Sequence, residues 1–332
     1  MTEGFDRNAA LCPWQQPVWE QLMAQWSQQR LPHALLICGP EGIGKRRLVA
    51  ALAKKLLCQS QSAEQSAPAC GECESCAWFD ADSHPDWRYI SREEKKRFIV
   101  IDQVQKLLHF CGQTAFAGGA KVAVIDPADE MNLNSANALL KTLEEPQPGT
   151  FLLLISDRPA RLLPTIRSRC QSVRLELPPA DMGLQWLQTL VGGEPLAREL
   201  LQEAGDRPLK ALHLHEQDVL SQWRDCDQAL EKALAGKLSW VKLAEQWAKL
   251  DLRDLLDWWI RRFTALAKVQ VGHDTALVPV MAGLQRRPAK WVLDAVDRAT
   301  RLLASTEAGS NANPRLSIEN LLLQTFGAAR DA

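Results

Sequence analysis

The chain has 332 residues, 46% hydrophobic and 24% charged, with 39 Lys+Arg against 40 Asp+Glu. That length predicts two or three domains with ample core, and so high a hydrophobic content excludes a disordered chain. Residues 1–178 carry 20 basic and 20 acidic side chains and 179–332 carry 19 and 20, so neither half is the basic block of a free-standing nucleic-acid binder.

In chain order, the first half alternates short apolar runs with helical patterns. Ala34–Cys38 predicts a buried strand, followed by a glycine turn and a helix over 45–57. Phe98–Ile101 predicts a second strand, after which Asp102 caps an amphipathic helix carrying Val104, Leu107 and Leu108. Lys121–Asp126 reads as a third strand, and Asn134–Glu145 as a helix stopped by Pro146. Residues 151–156 and 172–177 complete the set as strands four and five. Continuous apolar strands separated by helices imply a parallel sheet covered on both faces, an α/β doubly wound fold.

Pro178-Pro179 ends that pattern. Everything beyond reads as helix: 181–191, 196–204, 218–234, 240–269, 289–305 and 318–326, with Gly205-Asp206-Arg207-Pro208 as a helix-to-helix turn. The expected division is an α/β domain over 1–178, a small helical domain over 179–217 and an all-α domain over 218–332.

The polar start and apolar runs far shorter than the ~20 residues of a bilayer span predict a cytoplasmic protein without membrane contact. Nine cysteines then need a reason, because the cytosol keeps thiols reduced and an odd number cannot all pair. Cys70-x2-Cys73-x2-Cys76, with Cys58 twelve residues earlier, has the spacing of a tetrahedral metal site. Four thiolates leave no open coordination position, so the expected ion is a structural Zn²⁺. Cys12, Cys38, Cys111, Cys170 and Cys226 are scattered and read as small buried hydrophobes. Twelve Trp against one Tyr suggest no particular function.

Gly39-Pro40-Glu41-Gly42-Ile43-Gly44-Lys45-Arg46 lies between a predicted strand and a predicted helix, the setting of a phosphate loop. Gly39 and Gly44 would let backbone N–H groups curl around phosphate, and Lys45 would reach its terminal oxygens. The next position should carry a hydroxyl to hold Mg²⁺, but it is Arg46, which has no lone pair to offer. At the end of the third strand stands Asp126, followed by Pro127 where a water-polarising carboxylate is expected. Two independent losses make hydrolysis improbable. Arg169, on the loop before the fifth strand, is by its residues alone more readily a solvated surface charge or ion-pair partner than an arginine finger for a neighbour's nucleotide. His213-x-His215 reads as surface, His84-Pro85-Asp86 as a turn in which nothing pairs the imidazole with a nucleophile, and 91–97 as a solvated loop.

Together these pieces resemble one family, the bacterial DNA polymerase III clamp loader, a branch of the AAA+ superfamily. The likeness is carried by Asn137-Ala138-Leu139-Leu140-Lys141-Thr142-Leu143-Glu144-Glu145-Pro146, by Ser168-Arg169-Cys170, and by the cysteines inserted after the phosphate-loop helix. It covers about residues 33–212; the last third matches only as a helical domain of the right size. Active ATPase subunits of that family, of the gamma/tau type, carry an intact Lys-Ser/Thr pair and an Asp-Glu pair, and this chain departs from both at Arg46 and Pro127. The resemblance therefore implies a non-hydrolysing, stator-like subunit of a hetero-pentameric ring with gamma/tau and delta subunits. Such a subunit assists loading of the sliding clamp onto primed DNA for the polymerase, a nucleotidyltransferase only at the level of the complex. It also implies that Arg169 is the finger serving the adjacent subunit's ATP, that Cys58, Cys70, Cys73 and Cys76 hold zinc, and that Ser156 and Lys210 stand where sensor residues belong. ATP or ADP is not expected to be hydrolysed, and whether either binds is left open. The rival readings are an active gamma/tau-type ATPase and a stand-alone zinc-containing DNA-binding protein.

Overall fold

Five short strands pair in parallel in the first part of the chain: β1 (Ala34–Cys38), β2 (Trp87–Ile90), β3 (Lys121–Ile125), β4 (Thr150–Ser156) and β5 (Gln171–Arg174), in the order β2-β3-β4-β1-β5. The computed structural model describes residues 5–60, 67–93, 96–117, 119–273, 277–307 and 313–327. It divides into two compact units, Met1–His213 and Leu214–Ala332.

In the first unit the helices are α1 (Gln16–Ser27), α2 (Lys45–Leu57), α3 (Glu74–Asp80), α4 (Ile101–Cys111), α5 (Leu133–Glu144), α6 (Pro164–Arg167), α7 (Ala180–Val191) and α8 (Glu194–Ala204). α9 (Pro208–Glu216) runs across the division. β1, β3 and β4 are buried at every position, as strands covered on both faces must be. Alternation along each strand sends successive side chains to opposite faces. Leu35, Ile37, Val122, Val124 and Leu153 pack with Trp19, Leu48 and Leu52; Ala34, Leu36, Ala123, Ile125 and Leu154 pack with Val104, Leu139 and Ile166.

Two expectations need correction. Phe98–Ile101 is not a strand: Ile99 is fully buried but makes only an isolated bridge to Met131, and Ile101 already begins α4. The place beside β3 is taken by Trp87–Ile90, an edge strand whose exposed Arg88 interrupts the apolar run that would have announced it. Nor does Asp102 cap α4; Val100 occupies that position, and its N–H donates to Gln103 Oε1 at 3.2 Å.

The second unit is helical, with α10 (Val219–Leu234), α11 (Trp240–Trp247), α12 (Leu252–Gln270), α13 (Pro279–Ala282), α14 (Ala289–Glu307) and α15 (Pro314–Phe326). The single helix expected over 240–269 is two, because Asp251 accepts from the N–H groups of Arg253 and Asp254 at 2.9 and 3.2 Å and starts a new helix there. Tryptophan fills this core. Trp259 stacks on Phe263 with ring centroids 4.7 Å apart, Trp240 stacks on Phe326 at 4.8 Å, and Trp247, Trp258 and Trp291 close around them. Much of the unusual tryptophan content is thus packing.

One buried charge pins the sheet edge. Asp86, just before β2, is wholly buried and accepts from Lys121 Nζ at 3.0 Å and from the N–H groups of Phe116 and Ala117, both at 2.9 Å. Burial opposes its charge, but the two N–H groups and Lys121 outweigh it and hold the carboxyl below its ordinary range. A carboxylate whose folded value is depressed stabilises the fold above the unfolded value, about 3.9, and that contribution is lost as pH falls through the folded one. Asp86→Asn should therefore destabilise the sheet unit by about 3–5 kcal/mol at neutral pH, since it strands Lys121, and should flatten the dependence of stability on pH below about 4. Hydrogen-exchange protection of β2 and β3 in urea checks both.

Candidate functional site

Parallel strands bring their carboxyl ends to one edge of the sheet, where ligands of such folds bind. Here that edge gathers the Gly39–Gly44 loop after β1, Asp126 after β3 and Ser156 at the end of β4. Gly39 has φ +150°, and a Cβ there would lie 2.3 Å from the carbonyl oxygen of Leu175. Only glycine lets the loop leave β1 so close to the neighbouring backbone.

The loop is held by its own chain. The Leu209 N–H donates to the Gly42 carbonyl at 3.1 Å, Trp14 Nε1 to Ile43 at 2.9 Å and Gln15 Nε2 to Gly44 at 2.6 Å. Lys210 comes against it as well, because a Cβ on Gly42 would lie 2.7 Å from that of Lys210. Lys45, 5% exposed, turns back on the loop, donating to the carbonyls of Gly39 at 3.0 Å and Pro40 at 2.6 Å and pairing with Asp157.

Arg46 does more than fail to ligate a cation. Its Nε donates to Asp126 Oδ2 at 2.5 Å and its Nη2 to Oδ1 at 3.3 Å, and the Tyr89 hydroxyl adds a third bond to Oδ2 at 2.9 Å. Burial, reinforced by the Asp126 carboxylate, pushes the Tyr89 phenol up and keeps it protonated as a donor. The guanidinium thus neutralises the Asp126 carboxylate and engages both of its oxygens. Ser156 Oγ donates to Asp129 Oδ1 at 2.5 Å and accepts from the Arg158 N–H at 3.2 Å. Pro127 follows Asp126 and begins the short turn that carries Asp129.

The cysteine cluster lies between α2 and β2. Cys58 ends α2 and Cys73 caps α3. All four Sγ atoms lie within 4.8 Å of one another, with Cys58–Cys70 at 3.6 Å, Cys58–Cys73 at 3.9 Å and Cys70–Cys76 at 3.9 Å. Metal–sulfur bonds of about 2.3 Å in a tetrahedron require S···S edges of about 3.8 Å, so the four thiols can hold one metal ion. N–H groups of Glu72 and Cys73 draw the exposed Cys70 thiol down to about 6, while burial raises Cys76. The other five cysteines are buried free thiols.

His84 is buried, and both of its ring nitrogens are hydrogen-bonded. The Asp86 N–H donates to Nδ1 at 3.0 Å, which leaves Nε2 to donate to Ser75 Oγ at 2.5 Å, and Ser75 donates in turn to the Leu57 carbonyl at 2.7 Å. That tautomer cannot take a proton from the serine, so the chain of bonds fastens the cysteine module to the sheet and is no nucleophile.

Arg169 follows α6. Its Nη1 donates to the Thr165 carbonyl at 2.9 Å, its Nη2 pairs with Glu144 Oε1, and its side chain is one-third exposed. Sequence reasoning did not name Tyr89, Trp14, Gln15 or Asp157, and gave Glu144 no role beyond its place in the Asn137–Pro146 motif. The chain's only tyrosine was a signal for the first, and a position directly after the end of β4 was one for Asp157. No local pattern marks the others.

A family model described as DNA polymerase III, delta subunit, matches residues 14–179. The DNA polymerase III subunit delta' of Pseudomonas aeruginosa is 43% identical over 268 residues, covering 80% of each chain. That of Escherichia coli strain K12 is 37% identical over 208 residues, covering 62% of this chain and 61% of its own. Among solved structures, a DNA polymerase III gamma subunit-related protein from Thermotoga maritima covers 92% of this chain and 98% of its own, at 17% identity and a TM-score of 0.48.

The cysteine geometry predicts a thiol count. After treatment with a chelator, Cys58, Cys70 and Cys73 of the native chain should react with a thiol reagent, while the buried Cys76 and the five scattered cysteines stay silent until unfolding. Restoring the metal should protect the three again.

Proposed function

The chain belongs to the family of the DNA polymerase III delta' subunits, and from that premise we propose that it is the stator of a clamp loader, a subunit that hydrolyses no ATP itself. The observation that carries the reading is the bidentate Arg46–Asp126 pair. A Mg²⁺ ion would have to enter where a guanidinium already lies, next to a carboxylate already spent on Arg46 and Tyr89. Nucleotide phosphate would further have to draw Lys45 from Asp157 and from two carbonyls, and Pro127 cannot polarise water. Phosphoryl transfer rests on these placed groups. Neither ATP nor ADP is held with appreciable affinity in this reading, and Ser156 and Lys210 keep sensor positions without a nucleotide to sense. The same pair disfavours the active gamma/tau-type ATPase.

What the chain contributes is shape and one arginine. The α/β region over 1–178, a small helical lid over 179–217 and a helical collar over 218–332 form one member of a five-membered ring with gamma/tau and delta subunits in the cytoplasm. The ring opens the sliding clamp and loads it onto primed DNA. Arg169 is the finger presented to the ATP of the adjacent subunit, where a guanidinium neutralises charge that develops on the transferring phosphoryl group. A partly exposed arginine, anchored through its backbone, suits that task. Cys58, Cys70, Cys73 and Cys76 would hold a structural Zn²⁺, which closes the loop between α2 and α3 and takes no part in chemistry.

Two experiments check this. Titration of Mg-ATP into the free chain should give no saturable binding; a micromolar dissociation constant would contradict the reading. In a loader reconstituted with its other subunits, Arg169→Ala should lower the clamp- and DNA-stimulated ATPase about tenfold or more while the complex still assembles.

A further inference from the structure

We infer that Glu144 is a positioning residue for Arg169, a carboxylate that sets the guanidinium in its presenting geometry before the neighbouring subunit arrives. The inference rests on the reading of Arg169 as a finger, and deepens it.

The backbone of Arg169 is fixed from both sides. Ile166 is fully buried and Cys170 nearly so, both in the core under β1, β3 and β4, and the Arg169 N–H donates to the Ile166 carbonyl at 3.1 Å. The side chain is another matter. An arginine carries many rotamers, and a finger left free must lose that freedom when it engages. Here two donors are already committed: Nη1 to the Thr165 carbonyl at 2.9 Å and Nη2 to Glu144 Oε1. A guanidinium has five N–H donors in one plane. Bonds to two of them fix the plane and leave three for another acceptor, and the side chain stays one-third exposed.

Glu144 is well placed to be a rigid post. It is the last residue of α5, directly after the buried Leu143, and α5 packs against α6. Its position is otherwise unfavourable, because a negative charge at a helix C-terminus opposes the helix dipole; the guanidinium of Arg169 compensates for it. The pair adds little to stability, since Glu144 is half-exposed and ion pairs so open to water contribute weakly. Its value is therefore orientation. The carbonyl of Thr165 fixes one corner of the fork and the carboxylate the other, so the loss of either lets the plane swing.

The test is steady-state ATPase of a reconstituted loader with clamp and primed DNA. Glu144→Ala should lower kcat about three- to tenfold, as misorientation of an otherwise intact group does, with KM for ATP changed by no more than about twofold. Glu144→Gln keeps an acceptor oxygen and should recover most of the rate. Arg169→Ala should fall further, and the double variant no further than Arg169→Ala alone. Assembly of the loader and the melting temperature of the free chain should match the parent for both Glu144 variants. If Arg169→Ala loses activity while Glu144→Ala keeps it, the finger stands and the positioning role is wrong. A faster Glu144→Ala loader would make the carboxylate a restraint, and failure of both variants to assemble would make it a structural contact; each overturns the inference. If Arg169→Ala changes nothing, the finger reading and this one fall together.

Discussion

A carboxylate buried to 1% exposure has to be neutralised where it stands, and in this protein Asp126 is neutralised from within. Arg46 comes from the first turn of α2 and Tyr89 from β2, while Asp126 itself directly follows β3. Three elements that would otherwise frame an open cleft are thereby tied across it. Removing one member of such a pair leaves an uncompensated charge in a low-dielectric site, which makes the arrangement costly to open. The pair, with Tyr89, leaves neither oxygen of Asp126 without a donor. The glycine turn, β1 and α2 beside it are held by packing and by their own hydrogen bonds.

The same principle recurs at the sheet edge. Asp86 is satisfied by Lys121 and two backbone N–H groups, and its own N–H orients His84, which reaches Ser75 and through it the last carbonyl region of α2. Ser75 lies between two of the clustered cysteines in sequence. The module is thus fastened to the fold by a polar chain on one side and by Cys58, at the end of α2, on the other. Lys45, Arg46, His84 and Ser75 are all committed inward. Arg169 differs: the core holds its backbone while its guanidinium stays partly exposed. The fold spends the first four on its own hydrogen bonds and leaves the Arg169 side chain one-third exposed.

Much of this could be read along the chain, and particular residues show why. β1 was found to the residue, because a strand buried on both faces must be continuously apolar. β2 was not, because an edge strand with an outward arginine lacks that signal, and Phe98–Ile101 imitated a strand while Ile99 was buried against Met131 instead. The helical run after Lys237 was read too long, since the break at Asp251 depends on one side chain reaching two N–H groups. The four cysteines stood out because three of them lie within seven residues, near enough for one turn of chain to bring thiols together.

By itself, then, the sequence determined the α/β class, the glycine loop with its missing hydroxyl and missing carboxylate, the metal-binding spacing and the arginine before β5. These are local properties, carried by periodicity, by residue chemistry and by short covalent distances. Only the tertiary structure decided what the altered residues do instead. Arg46 meets Asp126 across 80 residues and Tyr89 meets it across 37, while Lys45 finds Asp157 and Arg169 finds Glu144. Side chains so far apart in sequence become neighbours only once the sheet has aligned the ends of its strands, and the burial that makes the Asp126 carboxylate demand a partner does not exist until then.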